Sequence, residues 1–190
     1  MASVVEYAAK FEGVVIAPED VRVSDAEIAR AYAACPADLI AALEEAAARI
    51  KAFHERERPQ DGGFTDAQGV RLGWRWTPVD SAGIYAPNGL TALPSSVLMN
   101  AIPAKAAGVK RIVMATPPGR LSAHPALLAA AKIAGVDEVW KIGGAQAIAA
   151  LAFGASSVEG QQAVGLETLT RNALDANRDL RAAREALNVA

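Results

Sequence analysis

The chain has 190 residues, of which 52% are hydrophobic and 21% charged, and its formal net charge at pH 7 is −2. This is the composition of a globular protein, and a charge so close to zero gives no electrostatic reason to expect a nucleic acid or an anionic membrane as partner. Apolar runs are too short to span a bilayer, the amino-terminal stretch lacks the pattern of a secretion signal, and the single cysteine, Cys35, excludes an internal disulfide, so we expect a cytoplasmic protein.

Two helices are predicted in the first region, residues 1–82, which we interpret as a helix-rich lobe. The first is expected over Asp25–Ala34, because Ser24 is a favourable N-cap residue and Glu27 follows it three residues later. The second begins after Pro36, where apolar side chains recur at spacings of three and four, as on one face of an amphipathic helix. The residues of this face are Leu39, Leu43, Ala46, Ile50 and Phe53.

One strand is predicted near the end of the same region. Residues 59–69 are rich in glycine and polar residues, which is typical of a turn-rich connection. After them, Val70, Leu72, Trp74 and Trp76 alternate with polar residues or glycine, and this is the period of a half-buried strand.

The second region, residues 83–155, predicts a parallel sheet. Three times a short apolar run ends in a loop of glycine or proline and is followed by a helical pattern; the runs are Gly83–Ala86, Arg111–Ala115 and Glu138–Ile142. Strands and helices that alternate at such regular intervals predict right-handed crossovers between parallel strands. Three such units form half of a doubly wound, Rossmann-type nucleotide-binding fold.

The third region, residues 156–190, predicts a C-terminal helix with one narrow apolar seam. A seam this narrow has to dock, either on the body of the protein or on a second copy, and we favour the body because alanines make a weak zipper. The seam consists of Leu166, Leu169, Ala173, Ala176, Leu180, Ala183 and Leu187. The predicted fold class is therefore α/β, with a helix-rich N-terminal lobe, a three-stranded parallel βα half-Rossmann lobe and a C-terminal helix.

A candidate ligand site lies where the predicted parallel strands end. In an open parallel sheet, ligands bind beyond the carboxyl ends of the strands, where helix N-termini present free N–H groups. These ends carry Tyr85 with Asn88–Gly89, Thr116 with Gly119, and Gly143–Gly144 with Gln146. Two consecutive glycines allow backbone to approach a phosphate, and Gln146 could reach a ribose or an amide. The alternative is that the glycines only form tight turns, and the common dinucleotide and triphosphate fingerprints are absent from the sequence.

Other chemistry is poorly supported by the sequence. The only histidines are His54, in a charged stretch where a solvated role is expected, and His124, at a predicted helix start, and neither belongs to a cluster with metal-ligand spacing. Cys35 has no histidine near it in sequence, and Ser95–Ser96 lacks the context of a nucleophile elbow. We predict that the two serines cap the helix that begins after Pro94.

Three long stretches resemble the histidinol dehydrogenase family. They are GIYAPNGLTALPSSVLMNAIPAKAAGVK from Gly83, IVMATPP from Ile112, and AGVDEVWKIGGAQAIAALAFG from Ala134. Shorter pieces upstream, residues 6–11 and 52–56, fit the same family, so the resemblance is nearly continuous from residue 4 to residue 154.

The resemblance implies a function and a set of cofactors. Members of the family oxidise L-histidinol to L-histidine in two NAD-dependent steps, use a zinc ion that holds the substrate, and form homodimers in which the carboxyl-terminal tail completes the partner's active site. Their NAD contacts correspond here to Tyr85 and Gln146. One departure is Asn88, which stands where the family usually has the first of two glycines.

After Gly154 the resemblance jumps. The family's Gly-Pro-Gly-Asn loop and the segment with its zinc ligands and Glu-His acid/base pair have no counterpart in this sequence. Residues 159–177 resemble the family's tail, with Asn177 in place of a zinc-binding histidine and Asn172 in place of a substrate-binding glutamate. An amide oxygen is a poor replacement for imidazole on zinc.

These departures lead to one main hypothesis and two alternatives. The main hypothesis is a shortened, catalytically inactive family member without zinc, with no catalytic or metal-binding residues and at most a vestigial NAD site at Tyr85, Gly143, Gly144 and Gln146. The first alternative is half of a split dehydrogenase that another chain completes. The second is a dimerising interaction module. We expect a homodimer or association with another dehydrogenase chain.

Overall fold

The computed structural model describes residues 2–87, 92–118 and 124–153. The helices are α1 (Ala2–Glu12), α2 (Asp25–Ala34), α3 (Ala37–Arg56), α4 (Pro94–Ala107), α5 (Pro125–Ile133) and α6 (Gly144–Phe153). The strands are β1 (Gly62–Thr65), β2 (Arg71–Trp74), β3 (Ser81–Tyr85), β4 (Arg111–Thr116) and β5 (Glu138–Lys141), and a short 3-10 turn covers Pro18–Asp20. The predicted tail helix and the loop residues Asn88, Gly89 and Gly119 lie outside the described residues.

The predicted parallel sheet is confirmed. Its strand order is β3-β4-β5, and both neighbouring pairs are parallel. Successive strands are neighbours because each is joined to the next by a helix, α4 or α5, that returns the chain to the amino edge of the sheet. The fold class is α/β, as the sequence predicts.

Alternate side chains of the strands divide the core into two layers. Ile84, Met114 and Val139 point to one face, where they pack against α4 and α5 and, beyond these, against α2 and α3. Val113, Ala115 and Trp140 point to the other face, where they pack against α1 and α6. The helices that follow the strands therefore lie on different faces: α4 and α5 cover one face of the sheet, whereas α6, after β5, covers the other.

The amino-terminal region closes one edge of the sheet. Val23 N–H donates to Val139 O at 2.8 Å, and Lys141 N–H donates to Val21 O at 2.7 Å, so Val21–Val23 adds a short antiparallel bridge to the outer edge of β5. We call these three residues the strap. The outer edge of β3 has no paired strand among the described residues. The division of the chain at residues 82 and 155 stays a prediction.

The strand predicted near Trp74 is present, but its predicted burial is wrong. β2 is exposed along its whole length and pairs with β1, which lies inside the stretch predicted to be only turns. The turn itself is at Asp66–Gly69, where the Asp66 carboxylate accepts from the N–H groups of Gln68 and Val70. The alternating pattern does mark a strand, but the main contact of β1 and β2 is with each other.

The predicted helices are confirmed with two corrections. Ser24 caps α2 as predicted, accepting from Glu27 N–H at 3.2 Å. Ser95 and Ser96 are not caps: α4 already begins at Pro94, whose fixed φ suits a first helical residue. Phe53 does not share the buried face of α3, since 59% of it is exposed. The helix α1 is an element that the sequence patterns did not indicate.

Candidate carboxyl-edge site

The parallel register brings the predicted site residues to one edge of the sheet. Tyr85 ends β3 beside Ala115, Thr116 ends β4 beside Lys141, and Gly143–Gly144 lead from β5 into α6. The change of helix face after β5 adds to this placement, because nucleotides bind in open α/β sheets where successive crossover helices switch sides. α6 lies over β3 and β4, so its N-terminus belongs to the same edge as Tyr85.

Gly144 and Gln146 form a compact unit at the N-terminus of α6. Gly144 has a φ of +63°, which L side chains rarely adopt, and a Cβ at this position would lie 2.7 Å from Gln146 Oε1. The Gln146 side chain therefore folds back over the bare Cα of Gly144, and only 3% of the residue is exposed. Glycine is required here for backbone conformation and for the space that the amide occupies.

Tyr85 lies on the same face of the sheet as α6. Its side chain is partly buried and packs against the core layer that contains Ala147 and Ala150 of that helix. The structure thus brings Tyr85 and the α6 N-terminus together as the sequence predicts, although 61 positions separate Tyr85 from Gln146 in the chain.

At the end of β4, Thr116 alternates with Ala115 and so points to the face that α4 and α5 cover, opposite Tyr85. The residue is fully buried, and its Oγ1 has no hydrogen-bond partner within the part of the chain that the structure describes. A buried hydroxyl in this state costs about 1–3 kcal/mol, so such groups are rare outside binding sites. The sequence placed Thr116 at a strand end but gave no sign that its hydroxyl would be unpaired.

The electrostatics of this edge favour an anion. None of α4, α5 and α6 has an acidic residue in its first turn, so the partial positive charge of each helix N-terminus is not neutralised locally. Lys141, the last residue of β5, is paired with Glu27 at 3.5 Å and is held in place. Free N–H groups beside glycine are the usual donors for a phosphate.

Two open clefts lie elsewhere among the described residues. One of about 270 Å³ is lined by His54, Trp76 and Pro103, and one of about 830 Å³ by Lys51, Lys105 and Gly135. The larger cleft lies among the C-terminal ends of α4 and α5, where carbonyl groups carry partial negative charge. Cavity volume alone does not make either cleft a better candidate for a nucleotide site than the carboxyl edge of the sheet.

The amino edge of the sheet is held by ion pairs. Arg111 donates to Glu138 Oε1 through Nε at 3.0 Å and Nη2 at 2.7 Å. Asp137 accepts from Lys105 Nζ at 2.8 Å and from Ile112 N–H at 2.7 Å. Burial alone would raise the pKa of the Asp137 carboxyl, but these hydrogen bonds and the charges of Lys105 and Arg111 lower it below its ordinary value of 3.8. These contacts fix the start of β4 and β5.

The two histidines and the cysteine each make a local structural contact. His54 pairs with Glu57 at 2.8 Å near the end of α3, and three quarters of its side chain is covered, so it is less solvated than predicted. His124 caps α5 by accepting from Ala126 N–H at 3.2 Å. Cys35 Sγ bonds to Ala31 O in the turn after α2. Over residues 2–87, 92–118 and 124–153, no three His, Cys, Asp or Glu side chains form a group that could hold a metal ion.

Comparisons with known proteins agree with this architecture. The family model described as histidinol dehydrogenase matches residues 1–165. The histidinol dehydrogenases of Caulobacter vibrioides and Ruegeria pomeroyi are 53% and 55% identical over 157 residues, which are 83% of this chain and 36% of each relative. The crystal structure of histidinol dehydrogenase from Elizabethkingia anophelis matches with a TM-score of 0.76 and 32% identity, covering 92% of this chain and 41% of that one. The chain thus spans little more than a third of the length of the curated relatives it matches.

Proposed function

Because this chain belongs to the histidinol dehydrogenase family, we propose that the carboxyl edge of its parallel sheet binds NAD through Tyr85, Gly143, Gly144 and Gln146. This proposal rests on the contact between the Gln146 side chain and Gly144 at the N-terminus of α6. Tyr85 lies on the same face of the sheet as this helix. The resemblance assigns NAD contacts to the same tyrosine and glutamine.

The residues of the carboxyl-edge site fit the chemical groups of NAD. The N–H groups at the N-terminus of α6 suit a pyrophosphate, and the Gln146 amide that covers Gly144 can exchange hydrogen bonds with a ribose or a carboxamide. When bound, NAD would supply the hydride acceptor of the family reaction.

We further propose that the chain does not oxidise histidinol by itself. The described residues do not fit zinc, and the only two histidines in the sequence already pair with Glu57 or cap α5. An alcohol oxidation also requires a base that takes the hydroxyl proton as the hydride leaves, and the family's Glu-His pair has no counterpart in this sequence. NAD binding without turnover is the expected combination.

Calorimetric titration of the purified chain with NAD tests the first proposal. In Gln146→Glu the new carboxylate suits a helix N-terminus but repels a phosphate, so the variant should fold and should bind NAD at least about tenfold more weakly. Gln68→Glu, the same change at an exposed position of the β1–β2 turn, should bind like the unchanged chain. Absence of heat change up to millimolar NAD, or equal binding by both variants, would overturn the NAD site.

A turnover assay tests the second proposal. NADH formation is followed by absorbance with histidinol and added zinc, and no histidinol-dependent signal is expected. A zinc-dependent signal that chelation abolishes would show that the chain is active alone.

The outer edge of β3, which has no paired strand within residues 2–87, 92–118 and 124–153, favours a second function, completion of a dehydrogenase by another polypeptide. Since α6 crosses over β3 on the face opposite α4, a right-handed crossover would place the next parallel strand along the outer edge of β3. Co-expression with the remaining segment of the Caulobacter vibrioides relative tests this idea. Co-purification with histidinol-dependent NADH formation would support it, whereas two separately eluting polypeptides would count against it.

A further inference from the structure

The smaller of the two clefts lies at the amino edge of the sheet, between the end of α3 and the end of α4. Its volume of about 270 Å³ is just below the roughly 300–1,000 Å³ of sites for drug-sized ligands, so it suits a molecule smaller than a dinucleotide. The N-terminus of α6 lies at the opposite, carboxyl edge. This cleft, which we call the proline cleft, is therefore separate from the proposed NAD site.

Four rigid and largely apolar residues line the proline cleft: Pro59, Trp76, Pro78 and Pro103. Proline side chains lose no rotamer freedom when a ligand covers them, so contact with them costs little entropy. Trp76 is held through its backbone, because its N–H donates to Asp61 Oδ1 at 2.7 Å. The residue is still 60% exposed, and an indole packs favourably against another ring. These walls therefore favour a planar aromatic group.

The proline cleft also contains a guanidinium without a partner. Arg58 lines the cleft, and its guanidinium makes no hydrogen bond or ion pair within residues 2–87, 92–118 and 124–153. A Cβ added at Gly108 would lie 3.7 Å from Arg58 Nη2 and 3.5 Å from Pro78 Cγ, so the guanidinium lies beside the proline wall at the end of α4. The partial negative charge of this helix end favours a cation there, but it leaves the planar set of N–H donors unused.

The one carboxylate that lines the proline cleft is already paired. Glu57 Oε2 lies 2.8 Å from His54 Nδ1, and both residues belong to the lining. The unpaired charge in the cleft is therefore that of Arg58, which favours an anionic group on the ligand. A carboxylate matches a guanidinium best, because the two planar groups form a pair of parallel hydrogen bonds.

We propose that the proline cleft binds a small aromatic carboxylate. The ring packs between Trp76 and the prolines, and the carboxylate accepts two hydrogen bonds from the Arg58 guanidinium. A cationic ligand would meet repulsion from Arg58, and an uncharged ligand of the same shape would leave the guanidinium unpaired. Binding at this cleft does not depend on NAD, since the two sites lie at opposite edges of the sheet.

An NMR titration of the isotope-labelled full chain with 3-phenylpropionate tests the proposal. The signal of the Trp76 indole N–H, assigned by its loss in Trp76→Phe, should shift with a dissociation constant of about 1 mM or below. The Trp140 indole is buried and donates to Glu138 Oε2 at 3.2 Å, so its signal should stay in place. The uncharged 3-phenylpropionamide should bind at least about tenfold more weakly than the acid.

Two arginine variants identify the group that binds the carboxylate. Arg58→Gln should weaken binding of the acid at least about tenfold and should make the acid and the amide bind alike. Arg56→Gln is the matched control, because Arg56 does not line the cleft and its guanidinium donates to Ala52 O on α3. This control should bind the acid like the unchanged chain, and an unchanged Trp140 signal shows that each variant retains its core.

Three results would overturn the proposal. They are no shift of the Trp76 signal up to about 10 mM acid, equal binding of acid and amide by the unchanged chain, and equal affinity of the two arginine variants for the acid. The first two use the unchanged chain and do not depend on the folding of a variant. NAD affinity should be the same in both arginine variants, which separates this result from the proposed function.

Discussion

Asp137 shows how one carboxylate can hold together two strands and a helix. It links Lys105 at the end of α4 to the first residues of β4, and its backbone N–H donates to Ile112 O while its carboxylate accepts from Ile112 N–H. The Ile112 N–H is buried and depends on this acceptor. Asp137 therefore acts mainly as the hydrogen-bond acceptor for Ile112 N–H and less through its charge. Its side chain is 41% exposed, so solvent partly screens the charge.

Two substitutions separate these roles. Asp137→Asn keeps an acceptor for Ile112 N–H and should lower the free energy of unfolding by no more than about 1 kcal/mol at pH 7. Asp137→Ala leaves that N–H unsatisfied and should cost about 1–3 kcal/mol. Urea unfolding of both variants measures the difference, and equal costs would contradict the geometric role.

The lowered pKa of Asp137 fixes the sign of its pH dependence. A carboxylate whose pKa is lower in the folded state contributes stability that is full above the unfolded pKa and is lost as pH falls through the folded pKa. The difference in unfolding free energy between the unchanged chain and Asp137→Asn should therefore shrink from about pH 4 downward. A difference that grows on acidification would contradict this assignment.

β3 and α6 approach each other closely at Gly83. A Cβ at Gly83 would lie 2.8 Å from Leu151 Cβ and 3.2 Å from its Cγ and Cδ2. Small residues at such positions let a helix lie low over a strand, and this depth sets where the N-terminus of α6 meets the carboxyl edge.

Gly83→Ala should push α6 outward and cost about 1–3 kcal/mol of stability, as overpacking does. Leu151→Ala removes two of the three close atoms, so its own cost should be smaller in the Gly83→Ala background than in the unchanged chain. Thermal unfolding of the unchanged chain, the two single variants and the double variant gives a double-mutant cycle, which measures the coupling between Gly83 and Leu151. Strict additivity would mean that the two residues do not contact each other in solution.

Local patterns predicted the parallel sheet well because each strand is bounded by glycine or proline and followed by a helical period. They placed Tyr85, Thr116 and Gly144 at one edge, since topology alone sends the carboxyl ends of parallel strands there. They did not predict that Gln146 folds over Gly144 or that the Thr116 hydroxyl is unpaired, because both depend on side-chain packing between elements.

The β1–β2 hairpin marks a different limit of sequence reasoning. Alternation at Leu72, Trp74 and Trp76 identifies a strand with one apolar face, but it does not say what covers that face. β1 was missed because Gly62–Gly63 carry no side-chain pattern and resemble a turn. The strap was missed because Val21–Val23 is too short for any period, and its pairing with β5 is a tertiary contact.

At the scale of the whole molecule, the strap closes the sheet at β5. Val23→Pro removes the N–H that donates to Val139 O and reopens an edge of unpaired backbone groups. We expect a loss of about 2–3 kcal/mol beyond that of Val23→Ala, which keeps the N–H and loses only side-chain packing. Urea unfolding and light scattering measure stability and aggregation, and equal behaviour of the two variants would show that the strap's backbone bond is dispensable.

The strap also has a consequence for the order of events during synthesis. Val23 and Val139 are more than a hundred residues apart, so the ribosome releases the strap long before β5 exists. Domains fold as their segments emerge, and long loops are entropically slow to close. We expect β3, β4 and β5 to assemble in that order on the nascent chain, and the strap to form its hydrogen bonds with β5 last. A ribosome that stalled before Val139 would thus carry an open sheet, whose two bare edges would need a chaperone.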